Sequence, residues 1–282
     1  MLADVIDCLA CPHCGGDLEI SSRTLRCDKQ HSFDVARQGY ASLLPGDAHT
    51  GTADTAGMVA ARASFLAAGH FDPIADAVAG AVAHSLDNVT GDGCIVDVGA
   101  GTGYYLTRTL ERAPGRAGVA LDVSKYALRR AAKAHPRVGA VACDVWCGLP
   151  LRTNSAAVII DVFAPRNAAE FARVLTPDGA LVVVTPTAEH LSELVDALGL
   201  LDVDASKAER LSTRLSAGFT LAGEERIERR LALTRREVAA VVAMGPSARH
   251  LDATDLGGRI AGLAEPIHTR LSVAISLYRS RV

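Results

Sequence analysis

Two groups of residues in this chain have types and spacings that can do chemistry. The first is Cys11-Pro-His-Cys14 followed by Cys27-Asp-Lys-Gln-His31, a C-x2-C-x12-C-x3-H pattern. Two knuckles of thiolate and imidazole donors, joined by a short hairpin, complete a tetrahedron that suits Zn²⁺. With all four positions filled by protein the site is structural, not catalytic. Gly15-Gly16 supplies the turn, and Leu18, Ile20 and Leu25 alternate around Ser21-Ser22-Arg23 like two short strands. Cys8 and His13 are spare ligands, Cys8 as a replacement for Cys11. No thioredoxin-like βαβ pattern surrounds Cys11 and Cys14, which argues against redox chemistry.

The second group is Ile95-Val96-Asp97-Val98-Gly99-Ala100-Gly101-Thr102-Gly103. It reads as a buried strand, a glycine turn and a helix start with free N–H groups. The glycines are spaced G-x-G-x-G, not the G-x-G-x-x-G of a dinucleotide site. Asp97 at the loop entry would repel a pyrophosphate and suits a cofactor with a cationic amino-acid end. The next strand ends at Asp122, where a carboxylate can hold ribose hydroxyls. The third ends Asp144-Val145, an acceptor for an exocyclic amine and a cover for a purine ring. Acids at three consecutive strand ends describe a pocket for S-adenosylmethionine. Asp161 closes a fourth candidate strand, where a group facing the target and taking its proton would sit. Phe163, two residues on, is a candidate to stack on the target.

The elements that must position these residues follow from the pattern. Strands are predicted over 94–98, 117–122, 138–143, 156–162 and 180–185, with helical patterns between them. Further strands are predicted at 225–233 and 271–278, separated by helical patterns at 234–243 and 252–263. This is an α/β fold, a doubly wound sheet. Upstream, Met58, Ala61, Phe65 and Leu66 share a helical face. Gly69-His70-Phe71 ends that helix, and Asp72-Pro73 opens another. Residues 46–57 read as a linker. The predicted division is a zinc module over 1–40, a connection over 41–85 and a catalytic domain over 86–282.

The 282 residues suffice for one large domain and a small module. No apolar run is long enough to span a membrane, and Asp4 and Asp7 interrupt any signal pattern. Seven cysteines, an odd number, argue against a disulfide framework, so the expectation is a cytoplasmic protein. The net charge of −3 argues against a generally basic nucleic-acid binder. Residues 94–160, however, carry nine Lys and Arg against four Asp and Glu. Lys125, Arg129, Arg130, Lys133 and Arg137 form one basic run, and Arg229, Arg230, Arg235 and Arg236 another. Both are candidate phosphate contacts.

The glycine loop with Asp97, Asp122 and Asp144 resembles the seven-stranded Rossmann-like methyltransferase superfamily. The N-terminal pattern narrows this. Cys11-Pro-His-Cys14 through His31-x-Phe33-Asp34 and Gly39-Tyr40-x-x-Leu43-Leu44-Pro45 resembles the RlmA-type bacterial 23S rRNA (guanine-N1-)-methyltransferases. The likeness continues in Ala61-Arg62-x-x-Phe65-Leu66-x-x-Gly69-His70-Phe71, Phe163-Ala164-Pro165 and Thr185-Pro186-x-x-x-His190-Leu191. It covers most of the chain and is weakest in the last eighty residues. It implies a zinc ribbon with ligands Cys11, Cys14, Cys27 and His31 that helps recognise a hairpin of 23S rRNA. It also implies a homodimer forming an RNA cleft, with Phe71, Thr102, Gly103 and His190 at the cofactor, and Arg62 becomes a candidate RNA contact. The residue near 161 is often basic in the family and is Asp161 here. The Ala- and Arg-rich composition favours the branch linked to tylosin-type macrolide resistance. The competing classes are a small-molecule or quinone methyltransferase with a purely structural zinc, and a cofactor-binding regulator without turnover.

Overall fold

A computed structural model describes residues 1–45, 51, 53–200, 215–245 and 253–281. Residues 46–50 and 52 of the expected 46–57 linker lie outside the described residues, and its end already belongs to helix α1 (Ala56–Ala67). Thr55 caps that helix by accepting from the Met58 N–H at 3.3 Å.

Strands β1 (Leu18–Ser21), β2 (Thr24–Cys27) and β3 (Ser32–Asp34) form a small antiparallel sheet. The main sheet contains β4 (Tyr40–Ser42), β5 (Cys94–Val98), β6 (Gly118–Asp122), β7 (Val138–Ala142), β8 (Ala156–Val162), β9 (Leu175–Pro186), β10 (Phe219–Leu233) and β11 (Ile267–Ser280). Its order is β10-β11-β9-β8-β5-β6-β7-β4. Strands β5 to β9 pair in parallel, and β10 and β11 run antiparallel at one edge. The expected seven strands are all present, several of them longer than the pattern implied. The sheet nevertheless has eight strands, not seven. The extra one, β4, pairs in parallel with β7 at the far edge. Only three residues long and without apolar alternation, it carries no strand signature. The expected boundary between residues 40 and 41 therefore falls inside a strand of the main sheet.

Side chains alternate between the two faces of the sheet, and each face has its own core. On one face Ile95, Ala120, Ala140 and Ile160 pack against Phe65 of α1, Val78 of α2 (Asp72–Leu86), Leu106 of α3 (Tyr104–Arg112) and Leu128 of α4 (Lys125–Ala131). On the other, Val96, Val119, Leu121 and Val141 meet Leu2, Val5 and Leu9 from the N-terminal segment. No α-helix joins β7 to β8; only a short 3-10 turn, Val145–Cys147, lies there. The 3-10 segment Leu2–Cys8 covers the face that such a helix would otherwise protect. Val5 and Leu9 are fully buried, each contributing about 1.5–3 kcal/mol of apolar burial. The close approach needs Gly139, where a Cβ would stand 2.2 Å from Val5 Cγ2. Arg152 N–H to the Cys8 carbonyl and Ala10 N–H to the Pro150 carbonyl, both 3.0 Å, complete the attachment. The zinc module is thus built into the sheet, not strung from it.

Candidate functional site: a thiolate-imidazole centre and a cofactor cleft

The β1–β2 hairpin brings the two knuckles together. The ligand atoms of Cys11, Cys14, Cys27 and His31 all lie within 4.8 Å of one another. Cys14 Sγ is 3.7 Å from Cys27 Sγ, and His31 Nδ1 lies 3.5 Å from Cys11 Sγ and 3.3 Å from Cys27 Sγ. With Zn–S of about 2.3 Å and Zn–N of about 2.0 Å, a tetrahedron has edges of roughly 3.5–3.8 Å. The donor set fits zinc through His31 Nδ1. His13, one of the spare ligands, stacks instead on Phe33 at 5.6 Å. Cys8, the other, contacts Cys94 at the start of β5. Neither belongs to the four-ligand cluster.

The glycine loop opens at the carboxyl end of β5, where strand order reverses between β6 and β8. Such a switch point is where open α/β sheets hold ligands. A cleft lies there, lined in part by Gly99, Gly101, Thr102, Phe71 and Phe163. A Cβ on Gly99 would stand 2.6 Å from Ala164 Cβ, and its φ is +68°, so only glycine serves. Gly103, also left-handed, precedes α3.

Asp122 accepts from the N–H of Gly101 at 2.8 Å through one oxygen and from the N–H of Ser124 at 2.7 Å through the other. It therefore organises the loop, and each oxygen keeps a second lone pair for a hydroxyl. Asp97 is almost wholly buried, with one carboxylate oxygen lacking a partner. Burial, with Asp161 and Asp122 nearby, pushes its pKa up. An unpartnered buried carboxylate oxygen beneath a glycine loop is matched by a cationic ligand group that donates to it. Asp144 caps the 3-10 turn after β7, accepting from the Trp146 N–H at 3.0 Å. Val145 in that turn is buried, while Trp146 is 61% exposed.

Beside the cleft three rings converge. His190 lies 6.0 Å from Phe71 and 5.8 Å from Phe163, which is itself 6.5 Å from Phe71. Phe163 and Leu191 both have left-handed backbone, φ +55° and +56°. Two non-glycine residues held this way beside one ring cluster mark a constrained site. His190 Nδ1 accepts from the Ser272 N–H at 3.3 Å. Burial lowers its pKa to about 4, so the ring is neutral with its proton on Nε2.

The structure brings Phe71, Asp97, Gly99, Gly101, Thr102, Gly103, Asp122 and His190 to one end of the sheet, with Asp144 and Val145 following the neighbouring strand β7. Asp161 stands at the same end of the sheet, opposite Val98 and close to Asp97, but it is fully buried and ion-paired with Arg166 Nε at 2.8 Å, with its second oxygen lacking a partner. Burial pushes its carboxyl up to about 7 against the pull of Arg166. Two cations also differ from expectation. Arg137 donates to the carbonyls of Ala113, Arg116 and Leu110, closing the end of α3 instead of facing a phosphate. Arg62 turns inward to the cleft.

A Rossmann-like sheet with this loop, acids at successive strand ends and a fused Cys₃His ribbon defines a zinc-bearing, S-adenosylmethionine-dependent methyltransferase. Residues 9–50 match the zinc-ribbon family described as RlmA, N-terminal, and residues 95–179 match a methyltransferase domain family. The chain is 51% identical to a Micromonospora griseorubida protein named as a 23S rRNA (guanine-N(1)-)-methyltransferase, covering 99% of both chains. It is 47% identical to the 23S rRNA (guanine(748)-N(1))-methyltransferase of Streptomyces fradiae, again over 99% of each. The chain belongs to the 23S rRNA (guanine-N1-)-methyltransferase family.

Proposed function

We propose that this protein methylates N1 of a guanine in a hairpin loop of 23S rRNA. The observation that carries this is the union of an adenosyl-cofactor cleft, with rings beside it, and a zinc ribbon seated on the same sheet. Near-complete coverage of the relatives supports the substrate. The Streptomyces fradiae relative favours the position equivalent to guanine 748.

Bound S-adenosylmethionine supplies an electrophilic methyl on a sulfonium. The glycine loop Gly99–Gly103, Asp97 and Asp122 would hold its amino-acid and ribose parts, and Asp144 and Val145 its adenine. Phe71 and His190 would border the methyl. The target guanine must leave its loop stack to reach this cleft. Phe163, 40% exposed beside the cleft, offers it a stacking face. The Nε2–H of neutral His190 is suited to donate to guanine O6, where negative charge develops as N1 loses its proton. Asp161, enclosed and ion-paired with Arg166, is assigned to holding the 163–166 loop, and Asp161→Asn distinguishes that role from taking the proton.

The zinc ribbon, the homodimer and the cytoplasmic setting complete the reading. The outer edge of β10 is unpaired among the described residues and is available to a second copy. No helix of the described residues is long and apolar enough to cross a membrane. The test is primer extension on 23S rRNA from a strain lacking the gene, after incubation with the protein and cofactor. N1 methylation blocks base pairing, so a new arrest at the hairpin guanine is expected. No arrest despite bound cofactor overturns the reading. Expression in a susceptible host should raise tolerance to tylosin-type macrolides only when the arrest appears.

A further inference from the structure

We infer that Arg62 is the residue of the cleft that binds the carboxylate of the cofactor's amino-acid end, and that Asp54 takes that place when no ligand carboxylate is present. The inference rests on the adenosyl-cofactor reading of the cleft and adds a partner that the strand-end acids do not supply.

Arg62 projects from α1 across the glycine loop. Its Cδ lies 3.5 Å from where a Cβ on Gly101 would stand. One terminal nitrogen donates both to Asp54 Oδ2 at 2.8 Å and to the Met244 carbonyl at 2.9 Å. Its Nε is buried with no partner. A buried N–H without an acceptor carries the full cost of its lost hydration, and here the orphan stands in a ligand cleft. A guanidinium offers five donors in a planar fork suited to a carboxylate.

Among the described cleft-lining residues Arg62 is the one cation, so an anionic group is drawn to it. The carboxylates of Asp97 and Asp122 lie beneath and beside the same loop, and Tyr105 lies in the field of both Arg62 and Asp97. A phosphate or pyrophosphate would meet those acids. A zwitterionic amino acid meets a cation on one side and acids on the other. Asp54 is anchored independently: its backbone carbonyl accepts from Ser124 Oγ at 2.7 Å. It can therefore release the guanidinium without leaving its place.

The test is calorimetric titration of the full chain with three probes: S-adenosylhomocysteine, its decarboxylated analogue, and methylthioadenosine, which lacks the amino-acid end. Wild type should bind S-adenosylhomocysteine about 10- to 100-fold more tightly than the decarboxylated analogue, the range for a charged hydrogen bond. Arg62→Ala should abolish that preference and leave methylthioadenosine affinity unchanged, and Arg62→Lys should keep part of it. Asp54→Asn should bind S-adenosylhomocysteine at least as tightly as wild type. Equal wild-type affinity for the first two probes overturns the inference, and this arm needs no variant. So does an Arg62→Ala protein that loses methylthioadenosine in step with S-adenosylhomocysteine. If wild type binds none of the three, the cofactor reading of the cleft fails first, which separates the two failures.

Discussion

Gly99 carries its requirement in both conformation and space. A methyl there would strike Ala164, on the loop that presents Phe163. Gly99→Ala should therefore cost about 1–3 kcal/mol in urea unfolding and weaken S-adenosylhomocysteine binding in the same protein. His190 gives a second prediction at this scale. Its folded pKa, about 4, lies below the unfolded value of 6.5. The unfolded chain then binds more protons between those values, so this contribution is full above pH 6.5 and is lost as pH falls towards 4. The difference in melting temperature between wild type and His190→Asn should shrink over that window. The glycines and the three acids are legible in the sequence because their spacing is itself the chemistry. Arg62 is not: a helical Arg in a matched stretch reads the same whether it faces RNA or turns inward. Only packing against Gly101 shows which.

At the scale of elements, the parallel strands are legible because burial on both faces demands unbroken apolar runs. In β8 that run is Val158-Ile159-Ile160, buried throughout. The same strand carries a residue whose role its position does not disclose. Asp161 is a strand-end acid, and strand-end acids here read as ligand groups, yet its partner Arg166 lies five residues on and closes the loop from within. Arg166→Met should cost about 3–5 kcal/mol by leaving a buried carboxylate unpaired. The double variant Asp161→Leu with Arg166→Met should recover most of that loss, as measured by urea midpoints. If Asp161→Asn folds and still methylates an RNA hairpin at a normal rate, the positioning role stands and a proton-accepting role is excluded.

Across the whole molecule, the zinc centre and the catalytic sheet share one core, since Val5 and Leu9 pack with Val96, Val119 and Val141. Chelation should release one zinc per chain, read by elemental analysis, and lower a single melting transition instead of producing two. Gly139→Ala should do the same with zinc still bound, by pushing Val5 off the sheet. Two fully separable transitions would contradict the shared core. A modular reading names the parts but misses their union, because the short strand Tyr40–Ser42 has too few residues to show a period. That strand has a consequence in time. It leaves the ribosome well before its partner Val138–Ala142, about five to twenty seconds earlier at ordinary elongation rates. The ribbon can close locally and take up metal long before its docking site exists. A nascent chain stalled short of residue 138 should carry a metal-loaded but protease-sensitive N-terminus, which becomes resistant once residue 142 and the strands before it have emerged.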